Sequence, residues 1–346
     1  MPREAVIGWD LGGAHVKAAR LGATGTVEGV RQVACPLWQG MTQLHAAVVE
    51  LRAAVGEGTV HAVTMTGEMT DLFASRADGV DQLVQAMREL FPGATLRFYA
   101  GAKGFVTAEA AGSCAASIAS ANWRASAEVV AAHLDEALFL DIGSTTVDLV
   151  PVQGGRVRAA GHDDAGRLRA GELLYTGAGR TPLMALVEAV PFEGEWTPML
   201  AEHFATTADV YRLLGALPAG LDQHPAADGG EKTAFASARR LARAIGRDVE
   251  SAPMETWHRL AAWLARAQLR RIEDACDRLL SRGVLADNAP VVVAGAGRFL
   301  AGRVASLCDH RVVEFGRLLP VAEPECDRAS DCAPAVAVAW LAQQHR

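Results

Sequence analysis

Two short turns carry the chemistry most easily read in this chain. Each places an aspartate, an aliphatic residue and a glycine after an apolar segment: Asp10-Leu11-Gly12-Gly13 and Asp141-Ile142-Gly143-Ser144. Glycine lets backbone N–H groups come close to a phosphate, and an aspartate at a strand end can hold a hydrated divalent cation. Asp10 and Asp141 are therefore the candidate Mg2+ ligands. Gly12, Gly13 and His15 in the first turn, and Gly143, Ser144, Thr145 and Thr146 in the second, are the candidate phosphate contacts. Lys17 supplies a point charge for an anion; it is one of three lysines, with Lys103 and Lys232, against thirty arginines. A lone Asp-x-Gly is more often a capped turn, and it is the pairing that favours a phosphate clamp.

Those turns need strands on both sides, and the sequence provides them twice. From Ala5 the pattern reads as strands Ala5–Trp9, Val16–Leu21 and Val27–Val33, then a helix over Gln43–Ala54, a strand over His61–Thr66, a helix over Asp81–Leu90, a strand over Leu96–Ala100 and an alanine-rich helix over Thr107–Ala121. Near residue 137 the opening recurs at a constant offset of 131 residues, Asp10 falling on Asp141 and Val16 on Val147. Two copies of one hairpin imply an internal duplication. A polar loop over His162–Arg169 and a mainly helical insertion over about 181–282 follow. Within the insertion Trp257, Leu260, Ala261, Leu264, Leu269, Ile272, Cys276 and Leu279 keep helical spacing, as one long scaffold helix requires. A strand over Pro290–Ala294, the turn Gly295-Ala296-Gly297, a helix, a strand over Val312–Phe315 and a helix over Ala333–Gln343 close the chain.

Composition narrows the function. The 346 residues are 50% hydrophobic and 21% charged, ample for a large core or two lobes. Net charge is -7, with 33 basic residues scattered among 40 acidic ones, so a nucleic-acid partner is not expected. Six dispersed cysteines with no Cys-x-x-Cys pair argue against a zinc cage or a disulfide framework and fit a reducing cytoplasm. Met1-Pro2-Arg3-Glu4 leads into the first strand without the apolar stretch that export or membrane insertion needs, so no membrane partner is expected. No Gly-x-Ser-x-Gly elbow and no His-Glu-x-x-His helix is present.

Other residues stand as candidates for holding or transforming a substrate. Asn122-Trp123 reads as a helix C-terminal turn or as an aromatic wall for a ring. Asp163, Asp164, Arg167, Glu172, Tyr175, Thr176 and Arg180 crowd the segment leaving the second hairpin, where they can supply an acid–base carboxylate and an anion-holding arginine. Gly295 and Gly297 are half of a dinucleotide fingerprint without its third glycine, and close packing explains them equally well.

Seven segments together carry a resemblance: IGWDLGGAHVKAA, TMTGEMTDLF, FLDIGSTTVDLVPV, GRLRAGELLYTG followed by RTP, TADVYRLLG, ADGGEKT and RRLARAIGRD. Over about Ala5 to Leu300 the chain resembles the hydantoinase A/oxoprolinase-like branch of the sugar kinase, heat-shock chaperone and actin superfamily. Within that branch it is most similar to the tetrahydromethanopterin-linked one-carbon transfer pathway proteins. The resemblance implies an α/β fold of two ribonuclease H-like lobes, 1–135 and 136–346, about a central cleft, with the helical insertion in the second. It implies a cytoplasmic transferase of methanofuran or methylofuran assembly that joins an aminomethylfuran methyl diphosphate to a tyramine or tyrosine phenol and releases diphosphate. The partners expected are those small molecules, with a homo-oligomer left open. The segments point to Asp10, Gly12, Gly13, Lys17, Glu68, Asp141, Gly143, Thr145, Tyr175, Thr176 and Lys232 as site residues, with Asp163-Asp164 a departure from the family's Thr-Asp. On this reading Glu68 or Asp164 takes the phenol proton, Trp123 and Tyr175 sandwich a ring, and Asn122, Thr176, Arg180, Lys232, Gly295 and Gly297 contact substrate. Two alternatives remain: an ATP-using kinase or amidohydrolase with the same clamp, and a non-catalytic nucleotide-gated assembly protein.

Overall fold

A computed structural model describes residues 4–344 of the chain; Met1–Arg3, on which the reading of the amino terminus rests, lie outside the described residues. Strand β1 (Val6–Leu11) is buried along its whole length, and so is β4 (Val60–Met65), the parallel neighbour beside it. Their continuous apolar runs are what a strand covered on both faces requires. β2 (His15–Leu21) pairs antiparallel with β1, and β3 (Val27–Ala34) with β2. β5 (Thr95–Tyr99) and β6 (Phe105–Val106) complete a first sheet in the order β3-β2-β1-β4-β5-β6.

The second sheet repeats the theme. β7 (Glu136–Ile142) and β8 (Val147–Gln153) form the second hairpin, with β9 (Leu173–Leu174) on one side. On the other side of β7 the chain returns after the insertion as β12 (Val291–Ala294) and β13 (Val312–Glu314), both parallel, so the order is β13-β12-β7-β8-β9. The insertion contains a hairpin of β10 (Ala189–Phe192) and β11 (Glu195–Pro198) beside its helices, a β element the reading of that stretch as helical does not contain. Its long helix, Met254–Leu280, buries every residue of the expected stripe from Trp257 to Leu279.

Helices Asn122–His133 and Ala333–Gln344 pack against each other and join residues of both sheets into one core. The terminal helix reaches back onto β1, β2 and β4. Gly8 allows this: a Cβ on it would sit 2.0 Å from the Ala335 carbonyl oxygen and 2.8 Å from the Ala339 nitrogen.

Two local expectations change. The alanine-rich segment is not one helix: it breaks into Ala108–Ala111, a 3-10 turn and Ala115–Ile118, with Ser120 in left-handed backbone at φ 51°. Asn122 and Trp123 then open the next helix rather than close the previous one. The polar loop over His162–Arg169 is also largely helical, Asp164–Ala170. The Asp163 carboxylate accepts from the Gly166 N–H at 2.7 Å to cap it, and Gly171 ends it in left-handed backbone. Among the described residues no helix is long and apolar enough to cross a membrane, and all six cysteines are free.

Candidate active site

The two hairpin turns close in the same way. The Gly12 N–H donates to the His15 carbonyl at 3.0 Å, and, 131 residues later, the Gly143 N–H donates to the Thr146 carbonyl at 2.9 Å. The register repeats too: Asp10 faces Lys17 across β1 and β2, and Asp141 faces Asp148 across β7 and β8. Both turns line one cavity of about 370 Å³ between the sheets, within the range of small-molecule sites.

Part of the cavity lining is a charged clamp. Lys17 Nζ lies 3.3 Å from Asp10 Oδ2, while buried Asp10 Oδ1 has no protein partner. Burial opposes the Lys17 ammonium, but the carboxylates of Asp10 and Asp141 outweigh it and hold its pKa above the ordinary lysine value. Asp141 is pushed up to about 7, by burial first and by Asp148 second. Asp148 is raised as well, by burial, against the pull of Arg167. The Ser144 carbonyl accepts from the Gly179 and Arg180 N–H groups at 3.1 and 2.8 Å, fastening the 177–180 loop to the second turn. Gly177 must be glycine there, since a Cβ would come within 2.3 Å of the Thr145 nitrogen.

Another part of the lining is aromatic and acidic. Arg167 is buried; its guanidinium donates to Asp148 Oδ1 at 2.7 Å and to the Glu172 carbonyl at 2.8 Å, and lies 4.0 Å over the Trp123 ring. That contact takes one face of the indole, so Trp123 does not offer both faces of its ring to a substrate. Tyr175 is exposed and also lines the cavity. Asp164, on the helix after the second hairpin, accepts from Arg76 of the first lobe, a bridge across the cleft. A second bridge runs through His224, whose Nε2 donates to the Ala14 carbonyl at 2.8 Å and whose ring meets His15 edge-on at 4.8 Å. Burial, then His224, lowers the His15 pKa to about 3, leaving it a neutral ring.

Most of the expected site residues meet here: Asp10, Gly12, Gly13, His15, Lys17, Asn122, Trp123, Asp141, Gly143, Ser144, Thr145, Thr146, Asp164, Tyr175 and Arg180 all line the cavity. Five do not. Thr176 is buried and accepts from Gln268 at 2.8 Å. Lys232 donates to the Asp222 carbonyl at 3.0 Å, outside the cavity. Gly295 and Gly297 are packing glycines, since a Cβ on either would strike Ile142, and on Gly295 also Asp141, while Ala296 between them lines the cavity. Glu68 is buried behind the wall and reaches it through Ser120. Asp148, Trp38 and Ser120 line the cavity unanticipated. Asp148 was within reach of the sequence, because the 131-residue offset lays it on Lys17; Trp38 and Ser120 carry no such signal.

Among the described residues no group of three or more His, Cys, Asp or Glu is gathered as a metal cage. Asp10 and Asp141, with the orphaned Asp10 Oδ1, instead fit Mg2+, which is held by one or two carboxylates with phosphate and water completing the shell.

Paired aspartate–glycine hairpins facing one cleft define the class: this is the duplicated ribonuclease H-like fold of sugar kinases, chaperones and actin. The chain belongs to the hydantoinase/oxoprolinase family, whose model matches residues 59–345. It is 27% identical over 293 residues, 84% of this chain and 86% of the relative, to the (4-{4-[2-(gamma-L-glutamylamino)ethyl]phenoxymethyl}furan-2-yl)methanamine synthase of Methanocaldococcus jannaschii. Similarity to the Methanococcus vannielii synthase of the same name is 38% over 89 residues, 25% of this chain and 40% of that protein. A nucleotide-free acetone carboxylase structure shares the fold, with a TM-score of 0.53 at 11% identity over 86% of this chain and 66% of that one.

Proposed function

We propose that the chain is a transferase of methanofuran-type cofactor assembly. It joins an aminomethylfuran methyl diphosphate to the phenol oxygen of a tyramine or tyrosine unit and releases diphosphate. The observation that carries this reading is the make-up of one cavity: Asp10, Lys17, Asp141 and the two glycine turns line it together with the aromatic and acidic side chains Trp123, Tyr175 and Asp164. The name of the Methanocaldococcus relative, aligned over most of both chains, supports it.

The furan oxygen donates electrons to the adjacent CH2 carbon, so departure of diphosphate needs chiefly stabilisation of the negative charge it gathers. Lys17 and the backbone N–H groups of the turns supply that, and they bind the diphosphate in one orientation. Mg2+, which Asp10 and Asp141 would hold, would add Lewis-acid stabilisation of the same oxygens. Trp123 and Tyr175 contribute aromatic surface beside which the acceptor ring can lie. The phenol, of ordinary pKa about 10, must shed its proton as the C–O bond forms, and Glu68 or Asp164 is the carboxylate to receive it.

The test is incubation of the pure protein with the furan diphosphate and tyrosine, tyramine or glutamyl-tyramine, followed by mass spectrometry of the product and assay of released diphosphate. The reading expects an ether product with at least one phenol and diphosphate release only when both substrates are present. No product with any phenol, together with tight ATP binding by calorimetry, overturns it in favour of a nucleotide-using enzyme.

A further inference from the structure

Glu68 lies on a 3-10 turn (Gly67–Met69) just after β4, buried, with Oε1 accepting from the Ser120 hydroxyl at 2.9 Å and Oε2 buried without a partner. The fold makes room for it deliberately in one place. Gly79 of helix Arg76–Leu90 lies flat against it, and a Cβ there would come within 2.8 Å of the Glu68 Cα. Ser120 is held in left-handed backbone, φ 51°, a conformation unfavourable for any residue with a Cβ, and it lines the cavity beside Asn122, Trp123, Asp164 and Tyr175. Its one hydroxyl proton is directed to Glu68, with Met69 Sδ a second contact at 3.4 Å. Toward the cavity the serine oxygen therefore offers lone pairs, as an acceptor for an incoming O–H.

We propose that Ser120 is the catalytic residue that takes the acceptor's phenol proton, and that Glu68 is the positioning carboxylate behind it, receiving the serine's proton in the same step. This rests on the transferase reading. The proton leaves the phenol oxygen for Ser120 Oγ while the Ser120 proton passes to Glu68. An electron pair of the phenol oxygen forms the new bond to the furan CH2 carbon, and the carbon–oxygen bond to diphosphate breaks, its electron pair leaving with diphosphate. Glu68 ends protonated and releases that proton after product leaves. Asp164, the other acidic candidate, is engaged by Arg76 across the cleft, whereas one Glu68 oxygen has no partner. Burial raises the Glu68 pKa, which the Ser120 hydrogen bond and Arg76 partly oppose and Asp164 reinforces, as suits a carboxylate that must accept a proton.

The experiment compares wild type, Glu68→Gln, Ser120→Ala and Ser120→Gly on two acceptors, tyramine-type phenols with and without a ring nitro group that makes the phenol acidic. Glu68→Gln keeps the shape of the side chain, and Ser120→Gly suits the left-handed backbone, so at least these two fold if Ser120→Ala does not. Expected is a kcat loss of about 100-fold or more on the plain phenol for each variant. KM for the furan diphosphate stays unchanged, and the loss shrinks to under about tenfold on the nitrophenol, which is already ionised. Equal losses on both acceptors, or no loss, overturn the relay while leaving the transferase reading standing. Absence of turnover by wild type on every phenol overturns both.

Discussion

Arg167 allows the sharpest test of the site's energetics. It is 1% exposed and answers three groups at once: the Asp148 carboxylate at 2.7 Å, the Glu172 carbonyl at 2.8 Å and the Trp123 ring at 4.0 Å. Replacing it with Met keeps much of its length and removes all three interactions. The largest cost is the one left behind, an Asp148 carboxylate in a buried setting without its cation. Removing one partner of a buried ion pair typically costs 3–5 kcal/mol, so a loss of about 4 kcal/mol is expected. Stacking on Trp123 accounts for roughly 1 kcal/mol of this. Most of the rest is specific to the charge on Asp148, so Asp148→Asn should recover about 2 kcal/mol when added to Arg167→Met. The assay is urea denaturation of the four proteins of the cycle, followed by tryptophan fluorescence and far-ultraviolet circular dichroism, with coincident transitions required before free energies are compared. Arg167→Met costing less than about 1 kcal/mol, or strict additivity of the two substitutions, would refute the view that Arg167 is the counter-charge on which the acidic wall depends.

Two further outcomes follow from the same geometry. Lys17→Met should weaken binding of inorganic pyrophosphate by roughly tenfold to a hundredfold, the worth of one charge-assisted hydrogen bond; isothermal titration reads it, and unchanged affinity would remove Lys17 from the clamp. His61 accepts from Trp9 Nε1 at 3.0 Å through Nδ1, and its Nε2 lies 3.1 Å from the Gly58 carbonyl, so the folded ring is the neutral Nε2–H form. Burial lowers its pKa to about 4, so between pH 6.5 and 4 the unfolded chain binds the proton that the folded one refuses. Stability should fall over that window on acidification, by at most about 3 kcal/mol from this residue, and His61→Gln should flatten the slope. An identical slope in the variant, by urea midpoints across pH, would show that the ring is not held neutral.

How much of the site was legible depended on whether its residues shared a local pattern. The two hairpins did: Asp10 and Asp141, with their glycines, announce themselves through residue type and a fixed offset, and the turns close with equivalent hydrogen bonds. The helix from Met254 to Leu280 was equally plain, because its apolar residues recur at the helical period from Trp257 to Leu279. The polar density of Asp164–Ala170 resembles a loop and masks the capping signals of a helix, Asp163 before it and Gly171 after it. Of the two readings of Asn122–Trp123, the helix C-terminal turn does not occur, because an alanine-rich run gives no hint of the left-handed kink at Ser120 that separates one helix from the next.

The succession of elements along the chain, the apolar runs of the strands and the repeated turn are patterns among neighbours in sequence, and the chain alone determined them, along with the candidate residues for gripping a phosphate. Which of those residues share a cavity was decided only when two sheets, separated by more than a hundred residues, came together on the helices between them. That is why Lys232 and Thr176, chosen by motif, turn away to Asp222 and Gln268. It is also why Ser120, an unremarkable serine among alanines, stands between a buried carboxylate and the cleft. Contacts such as Arg76 with Asp164 span 88 residues and depend on the docking of one lobe on the other, a free-energy balance that no local spacing encodes.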